Sequence, residues 1–271
     1  MAESTLHATE QDKTWAAFYR ETMQLLNDAD VPFLVGGAYA FAVYTGIVRD
    51  TKDFDLFLRP NDFDRAAAAL KRGGYDSKRV FPHWLGKAKR GEDCIDFIYR
   101  AGNGLCEVDQ SWFDRARDGK VFGMPVKLCA PEEIIWMKAF IMERERFDGA
   151  DVAHLLQGCA ESLDWGHLLS RFCNDAEVLL SHLILFRYIY PSERSRVPDD
   201  IMTKLLERVA QAPSSSAKVC RGTLLSRAQY LSDVQERGYR DVRLEKRSHM
   251  TAEDIKLWTR AIEIDGPSAG A

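Results

Sequence analysis

Residues 35–58, VGGAYAFAVYTGIVRDTKDFDLFL, constrain what this chain can fold into more than any other stretch. The apolar run Phe33-Leu34-Val35 reads as a short strand, and Gly36-Gly37 then turns the chain into a small-residue, apolar helix over residues 38–44. Gly46 punctuates the end of that helix, and Asp53-Phe54-Asp55-Leu56-Phe57-Leu58 reads as a second strand. Side chains at i and i+2 of a strand lie on one face, so Asp53 and Asp55 would point together while Phe54 and Leu56 point into a core. Two carboxylates in one small space are costly unless a cation neutralises them, and a hard divalent ion such as Mg2+ is the natural partner.

A third ligand is expected from a neighbouring strand. Asp96, in Cys94-Ile95-Asp96-Phe97-Ile98-Tyr99, is a lone acid among apolar residues where a core strand would otherwise be uniformly hydrophobic, and such an acid requires compensation. Asp93 lies close by, and Glu107 and Asp109 also alternate, but they run into the polar segment 111–120, which is typical of a solvated edge. Asp109 is therefore the reserve candidate. Gly36 and Gly37 on their own mean a tight turn. Combined with the acids they suit a triphosphate, because glycine permits close backbone approach and a helix N-terminus offers unpaired N–H groups and a favourable dipole. Arg49 and Lys52, beside the acids, suit the same triphosphate and equally suit the ordinary solvated charge of a strand start.

The remaining pattern surrounds this core. Trp15, Phe18, Met23, Leu25 and Leu26 recur at helical spacing before Pro32, and Phe63, Ala67 and Leu70 form a helix that stops at Gly73-Gly74. Residues 79–89 and 94–99 are expected to be two strands of a hairpin joined by Arg90-Gly91-Glu92-Asp93, and residues 121–128 a further short hairpin. From Pro131 the composition turns helical, with helices expected near 131–146, 149–160, 165–173, 175–189, 199–211 and 221–238. The expected fold class is α/β (α+β): a small mixed β-sheet with flanking helices over residues 1–130, a helical domain over 131–265 and a disordered tail over 266–271.

A net charge of -4 over 271 residues argues against a protein that coats nucleic acid, so no stable DNA binding is expected. Six scattered cysteines form no CxxC pair, which favours reduced thiols over a zinc knuckle or a disulfide framework. No run approaches the length of a membrane span and the first residues lack a signal-peptide pattern, so a cytoplasmic protein with no membrane partner is expected.

The glycine pair, the helix and then RDTKDFDLFL resemble the nucleotidyltransferase superfamily that includes DNA polymerase β, in its bacterial minimal-type branch. The fifteen residues between Gly37 and Asp53, and Arg49-x-Thr51 just before the acids, resemble lincosamide and aminoglycoside nucleotidyltransferases and the AbiEii-type nucleotidyltransferase toxins of toxin–antitoxin systems. The resemblance covers residues 34–99 by motif and continues through 131–156. It implies transfer of NMP from an NTP, such as ATP, to a hydroxyl of a small molecule, a protein or tRNA, with release of pyrophosphate. It also implies that Asp53 and Asp55 hold two Mg2+ or Mn2+ ions, and that Asp96 completes the acceptor-side metal site and helps deprotonate the hydroxyl.

Relatives often carry a lysine in the helix after the sheet and an R-x-D-x-x-D segment beyond it. Lys138 and Arg146-Phe147-Asp148-Gly149-Ala150-Asp151 are similar, which implies that Lys138 contacts a nucleotide phosphate; a snorkelling surface lysine is the competing reading. On the same fold the alternative is a catalytically idle, antitoxin-like regulator that binds nucleotide or a partner.

Overall fold

Phe54, Leu56 and Leu58 are fully buried, as their alternation requires, and they anchor the middle of a seven-stranded mixed sheet. The computed structural model describes residues 10–49, 51, 53–214 and 216–265, so the tail expected over 266–271 lies outside the described residues. In chain order the first elements are α1 (Glu10–Asp28), β1 (Leu34–Val35), α2 (Gly37–Thr45), β2 (Asp55–Phe57) and α3 (Phe63–Lys71). Strands β3 (Asp76–Phe81), β4 (Leu85–Arg90) and β5 (Asp93–Ile98) follow as an antiparallel meander. A short helix, α4 (Gln110–Asp114), then leads into the hairpin β6 (Arg117–Val121) and β7 (Met124–Leu128). The strand order is β3-β4-β5-β2-β1-β7-β6, with β2 parallel to β5, β1 parallel to β7 and β1 antiparallel to β2.

The mixed sheet expected from the sequence is present, with one more strand at its β3 edge. Residues 79–89 are not one strand: Pro82-His83-Trp84 interrupts them, and β3 and β4 fold back on each other. Strand β2 starts at Asp55, so Asp53 sits in the loop ahead of it rather than on the strand. Aromatic rings seal α1, α2 and the β6–β7 turn onto one face of the sheet. Tyr19 stacks on Phe54 at 4.5 Å between ring centroids, while Tyr39 meets Phe54 and Phe122 edge-on.

The chain then becomes helical: α5 (Pro131–Ala139), α6 (Gly149–Cys159), α7 (Trp165–Arg171), α8 (Ala176–Ile189) and α9 (Asp199–Ala210). Helix α5 ends seven residues short of the expected 146. The charged run 143–146 forms a turn closed by a bridge between Met142 and Phe147, and this turn returns Arg146 and Asp148 towards Lys138. The helix expected over 221–238 is also absent. That segment holds only a single 3-10 turn (Gly222–Leu224) and the short α10 (Leu231–Gln235), and it is flanked by the two-residue strands β8 (Val219–Cys220) and β9 (Arg240–Asp241), which pair in parallel. Just beyond it, Arg243 is fully buried and bonded to Asp241 at 2.7 Å.

A last helix, α11 (Ala252–Asp265), carries the chain back to the sheet. Its Trp258 packs edge-on against Phe81 at 4.9 Å and Trp84 at 5.0 Å, and Asn103 donates to the Leu224 carbonyl at 2.8 Å. No helix among the described residues is long and apolar enough to cross a membrane.

Removing the Trp258 ring takes away the contact that docks α11 on the β3–β4 turn. Trp258→Ala is expected to lower unfolding free energy by about 2 kcal/mol, since the ring is partly rather than fully buried. Urea unfolding followed by far-UV circular dichroism checks this.

Candidate active site

Register brings the acids together. In the parallel pairing of β2 with β5, Asp55 lies directly opposite Asp96, and in the antiparallel pairing of β4 with β5, Asp96 lies directly opposite Lys87. Residues opposite each other on neighbouring strands share a sheet face, so Lys87, Asp96 and Asp55 form one row across three strands. The Lys87 Nζ donates to both Asp96 carboxylate oxygens, at 2.8 and 3.0 Å. Asp53, exposed in the preceding loop, reaches the same space.

Gly37 is the reason the acids can sit against a helix. It begins α2 at φ +52°, and a Cβ there would lie 1.9 Å from an Asp55 carboxylate oxygen, so only glycine leaves room for that carboxylate at the helix N-terminus. Gly36, just before it, donates its backbone N–H to the Asp55 carbonyl at 3.1 Å and is pressed against the Phe57 ring.

Gly37, Asp53, Asp55 and Asp96 line one side of a cavity of about 420 Å³. Lys138, Arg146 and Asp148 also line it, and the far side is built by Trp84, Ser226, Arg227 and Trp258. Lys138 is clamped between Asp148 at 2.8 Å and Asp151 at 2.7 Å, with Arg146 bonded to Asp148 at 2.8 Å and Arg49 bonded to Asp151. Three cations against two carboxylates leave this network positive. Burial alone would raise Asp148 and Asp151, but their basic partners hold both below the ordinary carboxylate range.

Of the residues singled out in the sequence, the structure gathers Gly37, Asp53, Asp55, Asp96 and Lys138 on the cavity. Gly36 supports the wall from behind it. Arg49 is turned away to Asp151 and covers the Phe41 ring at 4.6 Å. Lys52 lies outside the described residues. The reserve candidate Asp109 caps α4 through the Ser111 N–H and pairs with Arg171, apart from the acids.

Sequence reasoning missed Lys87, Arg227 and Trp258 as parts of the site, and quoted Arg146 only as part of the R-x-D-x-x-D resemblance. Lys87 was within reach of it: a tight turn at Gly91-Glu92 sets Arg90 opposite Asp93, and counting back along both strands sets Lys87 opposite Asp96. Arg227 and Trp258 carried no local signal, because only the return of the chain after α9 brings them over the sheet.

The acidic group fits a divalent cation, within a limit. Among the described residues no three His, Cys, Asp or Glu side chains are grouped to hold a metal ion by themselves. Asp55 is nevertheless a largely buried carboxylate pushed up to about 7, first by burial and then by the charges of Asp96 and Asp53. Mg2+ is commonly bound by one or two carboxylates plus substrate phosphates rather than by an all-protein cage, and Asp53 with Asp55 is such a pair.

Residues 1–186 match a family model described as "uncharacterised nucleotidyltransferase". No curated protein matches the chain. Among solved structures, the chain is similar to the antibiotic-resistance factor ANT(2'')-Ia, with a TM-score of 0.41 and 17% identity over 66% of this chain and 95% of that one. It is similar to the lincomycin-bound lincosamide antibiotic adenylyltransferase LnuA, with a TM-score of 0.38 and 14% identity over 55% and 96%. An antigenic nucleotidyltransferase-like protein from Paracoccidioides brasiliensis is similar with a TM-score of 0.43 and 18% identity over 67% and 91%.

Two outcomes follow from the Asp55 environment. A carboxylate raised by folding adds stability that is present below its unfolded value, about 4, and is lost as pH climbs through about 7. In chelator-treated protein, Asp55→Asn is therefore expected to exceed wild type in stability at about pH 8, by on the order of 1–2 kcal/mol, and to match it near pH 4. Thermal unfolding across that range reads the difference. Gly37→Ala combines a positive φ with a collision on Asp55 and is expected to cost about 1–3 kcal/mol, measured by urea unfolding.

Proposed function

We propose, from the premise that this chain belongs to the nucleotidyltransferase family it matches over residues 1–186, that it moves a nucleoside monophosphate from an NTP to a hydroxyl acceptor with a divalent cation carried on Asp53 and Asp55. The observation that carries this reading is the in-register alignment of Asp55 with Asp96, on a cavity that also takes in Asp53 and the first residue of α2. In the reaction the acceptor oxygen bonds to the α-phosphorus, the bond from that phosphorus to the bridging oxygen breaks, and pyrophosphate leaves with the electron pair.

The acceptor proton passes to Asp96. Burial pushes Asp96 above the ordinary carboxylate range even with Lys87 bonded to it, which brings it closer to the pH at which a general base is effective. Mg2+ or Mn2+ on Asp53 and Asp55 supplies neutralisation of the triphosphate. Gly37 keeps the N-terminus of α2 free of side-chain bulk beside that charge. Lys138 and Arg146, held by Asp148 and Asp151, present fixed positive charge to the phosphates rather than having to be ordered on binding.

The acceptor lies against the far wall. There Trp84 and Trp258 offer apolar faces. Apolar ring faces suit a ring-bearing acceptor, whether a small molecule or the terminal nucleoside of an RNA.

Incubating the protein with Mg2+, α-labelled NTPs and either tRNA or small hydroxyl compounds tests this. Label is expected on an acceptor with wild type, and Asp53→Ala/Asp55→Ala is expected to lose at least about 10²–10³-fold in rate. Equal labelling by wild type and the double variant sinks the reading.

A further inference from the structure

The residue at the third acidic position is already matched. The Lys87 ammonium lies on both oxygens of Asp96, and the Cys94 thiol approaches one of them at 3.8 Å. This pairing is built into the sheet rather than left to a mobile side chain. Lys87 is the cross-strand neighbour of Asp96 in a hairpin whose register is set by the tight turn at Gly91, φ +63°. Lys87 is also absent from the described residues that line the cavity, so it meets Asp96 from the β4 side, away from Asp55 on β2.

Charge balance points the same way. Asp53, Asp55 and Asp96 with the Lys87 ammonium leave two negative charges, which a single divalent ion neutralises. A second divalent ion at Asp96 would have to displace an ammonium held by two hydrogen bonds in a partly buried setting, where a displaced charge is costly to leave unpaired.

We propose that Lys87 stands in place of a second metal ion at Asp96, so that this site takes one divalent cation per chain, on Asp53 and Asp55, with the ammonium supplying the positive charge on the acceptor side. The inference rests on the metal-dependent reading of the site. It assigns Lys87 a positioning role: it holds the Asp96 carboxylate in a fixed orientation and excludes a cation from it.

The test counts bound Mn2+ by electron paramagnetic resonance in the presence of an α,β-non-hydrolysable NTP analogue, with folding of every variant checked by thermal unfolding. Wild type and Lys87→Arg are expected to bind about one Mn2+ per chain, and Lys87→Met about two, because removing the ammonium frees Asp96 as a ligand. Asp96→Asn supplies an independent arm should Lys87→Met fail to fold: its count is expected to stay at about one. Stoichiometry unchanged between wild type and Lys87→Met, or a fall from two to one in Asp96→Asn, overturns the proposal and leaves the metal-dependent reading intact. Absence of any bound Mn2+ in wild type overturns both.

Discussion

Like charges on adjacent strands repel, and the sheet at the centre of this protein places two of them, Asp55 and Asp96, directly side by side. Much of the local architecture answers that repulsion. Lys87 arrives on the next strand to take both oxygens of Asp96, and Gly37 gives up its side chain so that Asp55 can lie against the start of a helix. The carboxylate of Asp55 is raised to about 7 by burial and by its acidic neighbours, which outweigh the nearby charges of Lys138 and Lys87. Burying a carboxylate costs free energy at every pH above its pKa. A raised, buried carboxylate beside a cavity marks a candidate binding site.

The positive side of the cavity is organised by the opposite rule. Lys138, Arg146 and Arg49 are not held apart by burial but tied together through Asp148 and Asp151, so that the network carries an excess positive charge in a fixed geometry. The early end of α5 makes this arrangement possible, because a helix continuing to 146 would carry Arg146 away along its axis. The two networks, one short of positive charge and one in excess, face a common space. That polarity suits a ligand with a phosphate chain and a bound cation.

The part of the site that lay in one continuous stretch was legible from sequence. The strand, glycine turn, helix and acidic strand of residues 34–58 have the predicted order, because each is specified by local rules: apolar periodicity, glycine at a turn and alternation across a pleat. Asp96 was also legible, as a polar residue inside an apolar run. Where expectation and structure part, a longer-range contact outweighs local pattern. Pro82 and the docking of Trp258 split β3 from β4, the ion pairs of Lys138 accompany the early end of α5, and the pairing of β8 with β9 on either side of 221–238 accompanies the loss of the helix expected there. The burial of Arg243 had no local signal, since nothing in a linear sequence distinguishes a buried arginine with a partner from an exposed one.

By itself the sequence determined the sheet-forming core, the acidic residues and the glycine that lets them approach a helix, because these depend on neighbours a few residues away. Only the tertiary structure decided that the Lys87 ammonium lies on both oxygens of Asp96, that Asp55 is buried beside this pair, and that residues 223–227 and Trp258 complete the cavity. Strand register and the packing of the last helix are set by contacts between segments far apart in the chain, and their free energy is invisible to any local window.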